Sequence, residues 1–330
     1  MLSLRRLVDA YRATGADLPL GDSGAAHAVP FEGYFWRIVD RRSGAVVVAL
    51  TAVCHGPEGR WGLSTLAVHP GGFSRTAITR TVRAERAGFG VEAEGALRGD
   101  ARRVAVDMGP DARLEASLRD AIQWPRRGFG ALGVGHVVPS LPQYWHPVVL
   151  SAGVEGRLRA GDLSLDLNGA TAYAEKNWGR GFPDRWWWGH AAAFDDDVSV
   201  SFAGGPVRLL GHEIAPTAMV IRLGRRVLAF APPGSRTLAA VADGTWRLRT
   251  RGRGYTVEIV GEAGDARPHE LLVPVPAERR GELRSRQLLA GHLSLRVQRH
   301  GRLQYAGRSP LAGLELGVPV IQPPRGEPPG

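Results

Sequence analysis

Short runs of alternating apolar and polar residues, separated by glycine, proline and aspartate, follow one another from Val29 almost to the end of the chain. Leu163–Leu167 shows the pattern clearly, with leucine at every second position, as in a strand with one buried face. Gly224 and Gly301, each between two such runs, are typical of tight hairpin turns. Because no helical period lasts beyond a turn or two after residue 13, the chain is predicted to be all-β.

The spacing and number of these runs predict two β domains. Strands that recur roughly every 8–12 residues favour an antiparallel sandwich or barrel, and about 290 residues of this pattern favour two domains over one. We predict a helix and linker over residues 1–27, a first β domain over 28–170, a second β domain over 171–320 and a disordered tail over 321–330. Within the first domain, the stretch Trp124–Pro147, rich in glycine and proline, is predicted to be a long covering loop.

Only the N-terminus shows a helical pattern. Ser3 is the predicted N-cap of a helix over residues 3–13. Its apolar face consists of Leu4, Leu7, Val8 and Tyr11. This segment lacks the continuous apolar run of a signal peptide, and no run in the chain approaches the ~20 residues that span a bilayer. The single cysteine, Cys54, fits a reducing compartment, so a cytoplasmic location is predicted.

The net charge of +10 admits three interpretations. Nucleic-acid binding is disfavoured, because the arginines are scattered and neither a basic run nor an RNP-like aromatic strand occurs. An anionic membrane surface, where a lipid substrate would reside, suits diffuse positive charge. An arginine-biased composition also raises the net charge with no partner at all. We therefore predict no nucleic-acid partner and leave a peripheral membrane contact open.

Two motifs are interpreted as coincidental. Gly128–Gly133 matches the dinucleotide fingerprint letter for letter, but Pro139 follows too soon for the helix that the fingerprint requires. The three aspartates at 195–197 lack the alternating ligands and terminal glutamate of a calcium loop, so they are predicted to form a hairpin turn. The histidines show no zinc-ligand spacing. We therefore predict no metal and no nucleotide or other cofactor.

The densest run of unusual residues is 174–190, AEKNWGRGFPDRWWWGH. It contains four of the nine tryptophans and Lys176, the one lysine among 42 basic residues. Arginine is effectively always protonated, whereas the pKa of lysine shifts readily on burial. A lysine at this position therefore indicates either a chosen chemical group or a buried Glu–Lys pair that braces a turn.

Three segments together resemble the tocopherol cyclase family and its bacterial relatives. Residues 175–188 (EKNWGRGFPDRWWW) are similar to the family signature, and residues 31–37 (FEGYFWR) and 309–317 (SPLAGLELG) are similar to flanking family segments in the same order. The likeness covers about residues 28–318. His190 stands where the plant enzymes of the family carry glutamine. The resemblance implies two lipocalin-like antiparallel barrels packed together, with the signature near their junction.

The resemblance also implies a reaction, the closure of a chromanol ring from a prenylated hydroquinone. An acid protonates the prenyl alkene, the phenol oxygen attacks the tertiary carbocation, and the phenol loses its proton. Such a site needs a general acid, a dry apolar cavity and electron-rich faces near the cation. Indole faces attract cations best among side chains, by ~0.5–2 kcal/mol. The implied partner is a prenylquinol or another isoprenoid lipid.

Strand alternation suggests roles within the signature. Glu175 is the candidate general acid, because burial raises a carboxyl pKa and keeps the proton available. Asn177, on the same strand face, is the candidate that orients the phenol oxygen. His190 is the candidate acceptor of the phenol proton, and Lys176 is a further candidate catalytic group. The candidate substrate-binding residues are Trp178, Trp186, Trp188, Glu32 and Tyr34. The residues expected to line one apolar cavity at the domain junction are Glu175, Asn177, Trp178, Trp188 and His190.

Other functions and structural roles remain open from the sequence. A hydratase or isomerase of polyene lipids would form the same cation, and a non-enzymatic carrier would need only the apolar cavity. The tryptophans are also explained as core residues. Glu32 precedes a glycine and is also explained as the cap of a turn. Lys176 is also explained as an ion-pair partner of Glu175 or as a donor to a backbone carbonyl.

Overall fold

The structure, a computed structural model, describes residues 4–125, 128–209, 211–242 and 244–319. Its helices are α1 (Leu4–Arg12) and the 3₁₀ helices Gly133–Val137 and Pro276–Glu278. Its strands are β1 (Phe31–Asp40), β2 (Ala45–Gly56), β3 (Gly59–His69), β4 (Phe73–Thr79), β5 (Val82–Ala84), β6 (Gly90–Ala93), β7 (Leu97–Asp100), β8 (Arg103–Asp107), β9 (Ala112–Gln123), β10 (Gln143–Ala160), β11 (Leu163–Asp166), β12 (Thr171–Gly179), β13 (Trp186–Ala191), β14 (Val198–Gly204), β15 (Val207–Leu209), β16 (His212–Ile214), β17 (Thr217–Leu223), β18 (Arg226–Phe230), β19 (Arg236–Ala242), β20 (Thr245–Gly252), β21 (Tyr255–Glu262), β22 (His269–Val275), β23 (Arg280–Arg299) and β24 (Arg302–Gly317). Among these residues no helix has the length and apolar character to cross a membrane. The predicted all-β class, with two barrel-like sheets and a short N-terminal helix, is confirmed.

The first barrel-like sheet has the strand order β4-β3-β2-β1-β12-β10-β9-β8-β7-β6-β5, with β11 paired to β10. In the antiparallel register of β1 and β12, Tyr34 lies opposite Lys176 and Phe35 opposite Glu175. The boundary predicted after residue 170 assigned β12 to the second domain. In the structure β12 completes the first sheet instead, because its backbone groups pair with β1 and β10. The division between the sheets therefore falls in the turn that follows β12.

The second barrel-like sheet has the strand order β18-β17-β14-β13-β24-β23-β21-β20-β19, with β22 paired to β23. β13 is antiparallel to β24, and this register sets Trp188 opposite Glu315 and His190 opposite Gly313. The signature run therefore spans both barrels, since β12 lies in the first sheet and β13 in the second.

Alternation along the strands separates the barrel interiors from the junction between them. In β1, Trp36 and Ile38 belong to the apolar core of the first barrel. Phe35 and Val39 point the other way and pack at the junction, in a cluster that includes Leu289 of the second barrel. The second barrel has its own core, which includes Phe202, Ile221, Trp246 and Leu295. The junction is thus built from the outward faces of both sheets.

The N-terminal segment and the loop before β10 lie near each other. Tyr11 Oη donates a hydrogen bond of 2.6 Å to the carbonyl oxygen of Val137, although no residue of α1 is buried. The covering loop is shorter than predicted, because the backbone from Gln143 onward pairs with β12. The predicted cap Ser3 and the predicted tail 321–330 lie outside the described residues.

Candidate functional site

A cavity of about 610 Å³ lies between the two barrels, within the roughly 300–1,000 Å³ typical of small-molecule sites. Its wall is mostly apolar and comes from the outward faces of both sheets and from the loop before β10. Apolar lining residues include Phe31, Phe35, Leu50, Ala52, Leu132, Leu141, Trp186, Trp188, Ala218, Leu271 and Val273. Because the barrel interiors are filled by their own cores, the cavity belongs to the junction and not to a barrel mouth.

Glu175 lies in the cavity wall, and one of its oxygens is saturated with hydrogen bonds. Oε2 accepts them from Tyr173 Oη at 2.6 Å, Trp145 Nε1 at 2.7 Å and Trp188 Nε1 at 2.9 Å. The donors come from β12, β10 and β13, so both barrels position the carboxyl. A carboxyl oxygen has two lone pairs, and three donors leave Oε2 no place for a proton. The neutral carboxyl therefore carries its proton on Oε1.

Burial raises the pKa of Glu175 to about 7. The three hydrogen bonds to Oε2 oppose this rise because they stabilise the charged form, and the negative charge of Glu315 adds to it. A substantial fraction of the protein therefore holds Glu175 protonated at neutral pH. A pKa near the working pH is the property that a general acid needs.

A second carboxyl, Glu315 on β24, lines the same cavity. Its Oε1 accepts hydrogen bonds from Trp186 Nε1 at 2.7 Å and Ser285 Oγ at 2.9 Å, and its Oε2 accepts one from Gln287 Nε2 at 3.3 Å. Burial raises the pKa of Glu315. Sequence reasoning missed this residue as a candidate, because local alternation gives no link between residues 175 and 315.

Asn177 shares the cavity-facing side of β12 with Glu175, as alternation predicts. A Cβ at Gly33, its partner on β1, would lie 2.1 Å from Asn177 Oδ1. The amide therefore lies directly over the glycine backbone and needs the absence of a side chain there. In the described part of the chain this amide has no hydrogen-bond partner, so it is available to an oxygen of a ligand.

Lys176 lies on the opposite face of β12 and does not reach the cavity. Its Nζ donates to Ala25 O at 2.6 Å and to His27 Nδ1 at 3.0 Å, and lies 2.7 Å from Glu32 Oε2. Because Nδ1 of His27 accepts, its Nε2 donates to Asp17 Oδ2 at 3.0 Å. Lys176 is thus a buried brace between the N-terminal segment and the first barrel. Its carboxylate partner is Glu32, not Glu175.

Glu32 and Trp178 belong to the same brace and not to the cavity wall. Glu32 Oε2 accepts the backbone N–H of His27 at 3.1 Å, and the Trp178 ring stacks on the His27 ring with centroids 4.3 Å apart. The expectation that Trp178 lines the cavity with Asn177 is not met. Adjacent residues on a strand point to opposite faces, so Trp178 points away from the face of Asn177. It shares a face with Lys176, two residues before it.

Tyr34 and Trp186 border the cavity, as expected for substrate-binding candidates. The Tyr34 hydroxyl lies 3.4 Å from Glu32 Oε2, to which it donates, so its polar end belongs to the brace. Trp186 directs its indole N–H at Glu315 and leaves its ring to the cavity.

His190 is buried, with its ring centroid 6.4 Å from that of Trp188, and does not line the cavity. Its Nδ1 lies 3.4 Å from Arg37 Nη1, and its ring stacks on Tyr173 with centroids 4.0 Å apart. Burial and the positive charge of Arg37 lower the pKa of His190 well below its usual value. Arg37 also donates to two carbonyl oxygens of the second barrel at 2.8 Å each. His190 therefore belongs to the barrel junction, and the expected contact with a phenol is not met.

Trp145 and Tyr173, two of the three donors to Glu175, were missed by sequence reasoning. The position of Tyr173, two residues before Glu175 on one strand, was a usable signal because such residues share a face. Trp145 gave no local signal, since only the pairing of β10 with β12 brings it near. Within the described ranges, no group of three or more His, Cys, Asp and Glu residues is arranged to hold a metal ion.

Known proteins resemble this chain in sequence and in fold. A family model described as tocopherol cyclase-like matches residues 31–318. The chloroplastic tocopherol cyclase of Zea mays is 26% identical over 185 residues, which are 52% of this chain and 39% of the maize protein. The match thus spans well under half of that relative.

Two solved structures share the fold at low sequence identity. Kievitone hydratase from Nectria haematococca has a TM-score of 0.50 at 11% identity, over 92% of this chain and 91% of that one. CghA with Sch210972 has a TM-score of 0.53 at 12% identity, over 88% of this chain and 89% of that one. Because the family model matches most of the chain, the protein belongs to the tocopherol cyclase-like family.

Proposed function

We propose that this protein is an intramolecular cyclase that closes a chromanol ring from a prenylated hydroquinone in the cavity between the barrels. The observation that carries the proposal is Glu175, a carboxyl in an apolar wall whose three hydrogen-bond donors all lie on Oε2 and whose pKa is raised by burial. Family membership supports the same class of reaction.

In the proposed reaction Glu175 delivers its Oε1 proton to the less substituted carbon of the prenyl alkene. The π electrons form the new C–H bond and leave a tertiary carbocation. A lone pair of the phenol oxygen then forms the C–O bond of the ring, and the phenol O–H bond breaks as its proton passes to a base. The three hydrogen bonds to Oε2 stabilise the carboxylate that Glu175 becomes, which lowers the cost of giving up the proton.

Aromatic faces near Glu175 support the cationic step. Trp145 and Trp188 both bind the Glu175 carboxyl through their indole N–H groups, so their rings lie beside the acid. Phe35 packs against Trp188 with ring centroids 5.2 Å apart. Such faces attract a cation by roughly 0.5–2 kcal/mol each. The apolar wall also limits the water that would convert the cation to an alcohol.

Asn177 is the group we assign to orient the phenol oxygen. It shares the cavity face with Glu175, and in the described part of the chain its amide makes no competing hydrogen bond. An amide supplies both a donor and an acceptor, so it can hold a phenol hydroxyl near the carbon that becomes positive.

A peripheral contact with an anionic membrane stays part of the proposal as the source of the lipid, with the protein in the cytoplasm. Val134, Val138 and Ile214 line the cavity and yet are 44%, 43% and 43% exposed. Exposed apolar side chains are therefore part of the cavity lining. They are suited to take up an isoprenoid from a lipid surface.

The test is chromanol formation from a short-chain prenylhydroquinone, followed by chromatography and mass spectrometry. We expect wild-type protein to give a product of unchanged mass and altered retention. Glu175→Gln keeps the shape but cannot give a proton to carbon, and it should lose ~10²–10⁴-fold in rate. Glu155→Gln is the control, because Glu155 is 61% exposed in a surface ion pair.

Each outcome separates the cyclase from its alternatives. A product heavier by one water would identify a hydratase. Tight lipid binding by wild type and Glu175→Gln alike, with no product from either, would identify a carrier. Full activity of Glu175→Gln, with an unchanged melting temperature, would assign the acid to another residue.

A further inference from the structure

Glu175 and Glu315 line one cavity, and the described residues that line it include no lysine, arginine or histidine. Both line the cavity, and each is held by an indole N–H from β13, Trp188 for Glu175 and Trp186 for Glu315. Among the described residues neither carboxyl makes an ion pair. Burial together with like charge disfavours the state in which both are ionised. The pair is therefore expected to retain one proton.

The charged and titratable groups that surround the pair are bound elsewhere. Arg284 lies over the ring of Trp186 at 5.6 Å but donates to the carbonyl oxygens of Pro183 at 2.6 Å and Val318 at 3.1 Å. Arg37, which is buried near His190, is likewise bound to carbonyl groups. The pKa of Tyr173 is raised well above its usual value by burial and by Glu175, so its hydroxyl stays neutral.

The hydrogen bonds distinguish the two carboxyls. All three donors to Glu175 end on Oε2, which leaves Oε1 for a proton. The donors to Glu315 occupy both oxygens, two on Oε1 and one on Oε2. Each carboxyl thus accepts three hydrogen bonds, but Oε1 of Glu175 receives none of them. This difference favours a proton on Glu175 and a charge on Glu315.

Cyclisation is an isomerisation, in which one proton goes to carbon and one must pass from the phenol oxygen to a base. The Glu315 carboxylate can take this proton and leave Glu175 to act as the acid alone. His190, the candidate acceptor from the sequence, is buried and is not among the residues that line the cavity. Glu315 lines the cavity together with Glu175.

We propose that Glu315 is the base of the reaction and that Glu175 and Glu315 act as an acid–base pair with one proton between them. This proposal rests on the proposed function. Glu175 loses its proton to the alkene carbon while the C–O bond forms. The phenol O–H bond then breaks, and its proton passes to the Glu315 carboxylate. Return of that proton to Glu175, by exchange with water as the product leaves, restores the starting state.

The first test needs no substrate and measures the carboxyl C=O absorption of ligand-free protein by infrared titration. We expect wild-type protein to hold one protonated buried carboxyl around neutral pH. Glu315→Gln removes the negative charge beside Glu175, so the remaining carboxyl should titrate at lower pH. Glu175→Gln should lower the pKa of Glu315 for the same reason. If replacing either carboxyl leaves the pKa of the other unchanged, the two do not share a proton and the proposal is wrong.

The second test is the pH–rate profile of cyclisation. Wild type should show a bell, since the acid must be protonated and the base ionised. Glu315→Gln should lose ~10²-fold or more in kcat with little change in KM, and should lose the acidic limb of the bell. Ser285→Ala removes one donor from Glu315 but keeps the base, so it should keep the bell and move its acidic limb to higher pH.

The outcomes separate this proposal from the one on which it rests. If wild type cyclises and Glu315→Gln cyclises equally fast with an unchanged profile, Glu315 is not the base and the cyclase assignment stands. If wild type forms no chromanol, both the function and the base assignment fail, whatever the titration shows. If thermal melting shows that Glu315→Gln is unfolded, Ser285→Ala becomes the test. An acidic limb at the same pH as in wild type would then refute the assignment of Glu315 as the base.

Discussion

Replacing Lys176 by methionine tests whether the one lysine of the chain is a brace or a catalytic group. Its Nζ lies 2.7 Å from Glu32 Oε2, and the two side chains are 0% and 1% exposed. Without the ammonium, Glu32 keeps the backbone N–H of His27 at 3.1 Å but has no counter-ion. Breaking a buried pair from one side typically costs ~3–5 kcal/mol. In a chain of this size we expect the melting temperature to fall by roughly 6–20 °C.

Three further variants isolate the cause of that loss. Lys176→Met with Glu32→Gln removes both charges, so the double variant should melt higher than Lys176→Met alone. Lys176→Arg keeps the charge but should also destabilise, because a guanidinium is larger than the enclosed ammonium site. Arg119→Met is the matched control. Its ion pair with Glu155 spans 2.9 Å with side chains 59% and 61% exposed, and such surface pairs contribute about 0–1 kcal/mol.

The assays are thermal melting by circular dichroism and turnover well below the melting temperature. Because Lys176 lies on the opposite face of β12 from Glu175, folded Lys176→Met should turn over within a few-fold of wild type. If Lys176→Met loses turnover while its melting temperature is unchanged, Lys176 has a role in catalysis and is not only a brace. If Lys176→Met and the double variant with Glu32→Gln have equal melting temperatures, the unpaired charge of Glu32 is not the cause of the destabilisation.

Two other predictions follow from groups in the same structure. Burial lowers the pKa values of His27 and His136 from 6.5 to about 4. The unfolded chain therefore takes up protons first, and stability should fall between about pH 6.5 and pH 4, by up to roughly 3 kcal/mol per histidine; a urea midpoint that stays flat over this range would contradict it. Gly33→Ala should push the Asn177 amide into the cavity, because the new Cβ would lie 2.1 Å from its Oδ1. We expect weaker ligand binding with little loss of stability, whereas Gly153→Ala, a strand glycine with only an ordinary contact at 3.9 Å, should leave both unchanged.

The amino-acid sequence determined the class of fold and indicated the segment that supplies most of the candidate site. Alternation of apolar and polar residues, interrupted by glycine and proline, is a local property of strands, so it predicted an all-β chain of two domains without tertiary information. The family resemblance implied that both domains are barrels. The signature run located Glu175, Asn177 and Trp188 together. The same alternation places Glu175 and Lys176 on opposite faces of β12. It also places Trp178 on the face of Lys176, which contradicts the predicted role of Trp178 in the cavity wall.

Only the tertiary structure decided which polar groups meet across the chain. Glu315 lies beside the cavity because β24 pairs with β13, and Trp145 reaches Glu175 because β10 pairs with β12. Lys176 finds Glu32 and His27 inside one end of the first barrel, not Glu175 in the cavity. Burial and pKa depend on such distant neighbours, since desolvation and charge act through space. The face on which a side chain lies is set by its position along its own strand. Its partners are set by the pairing and packing of strands that are far apart in sequence.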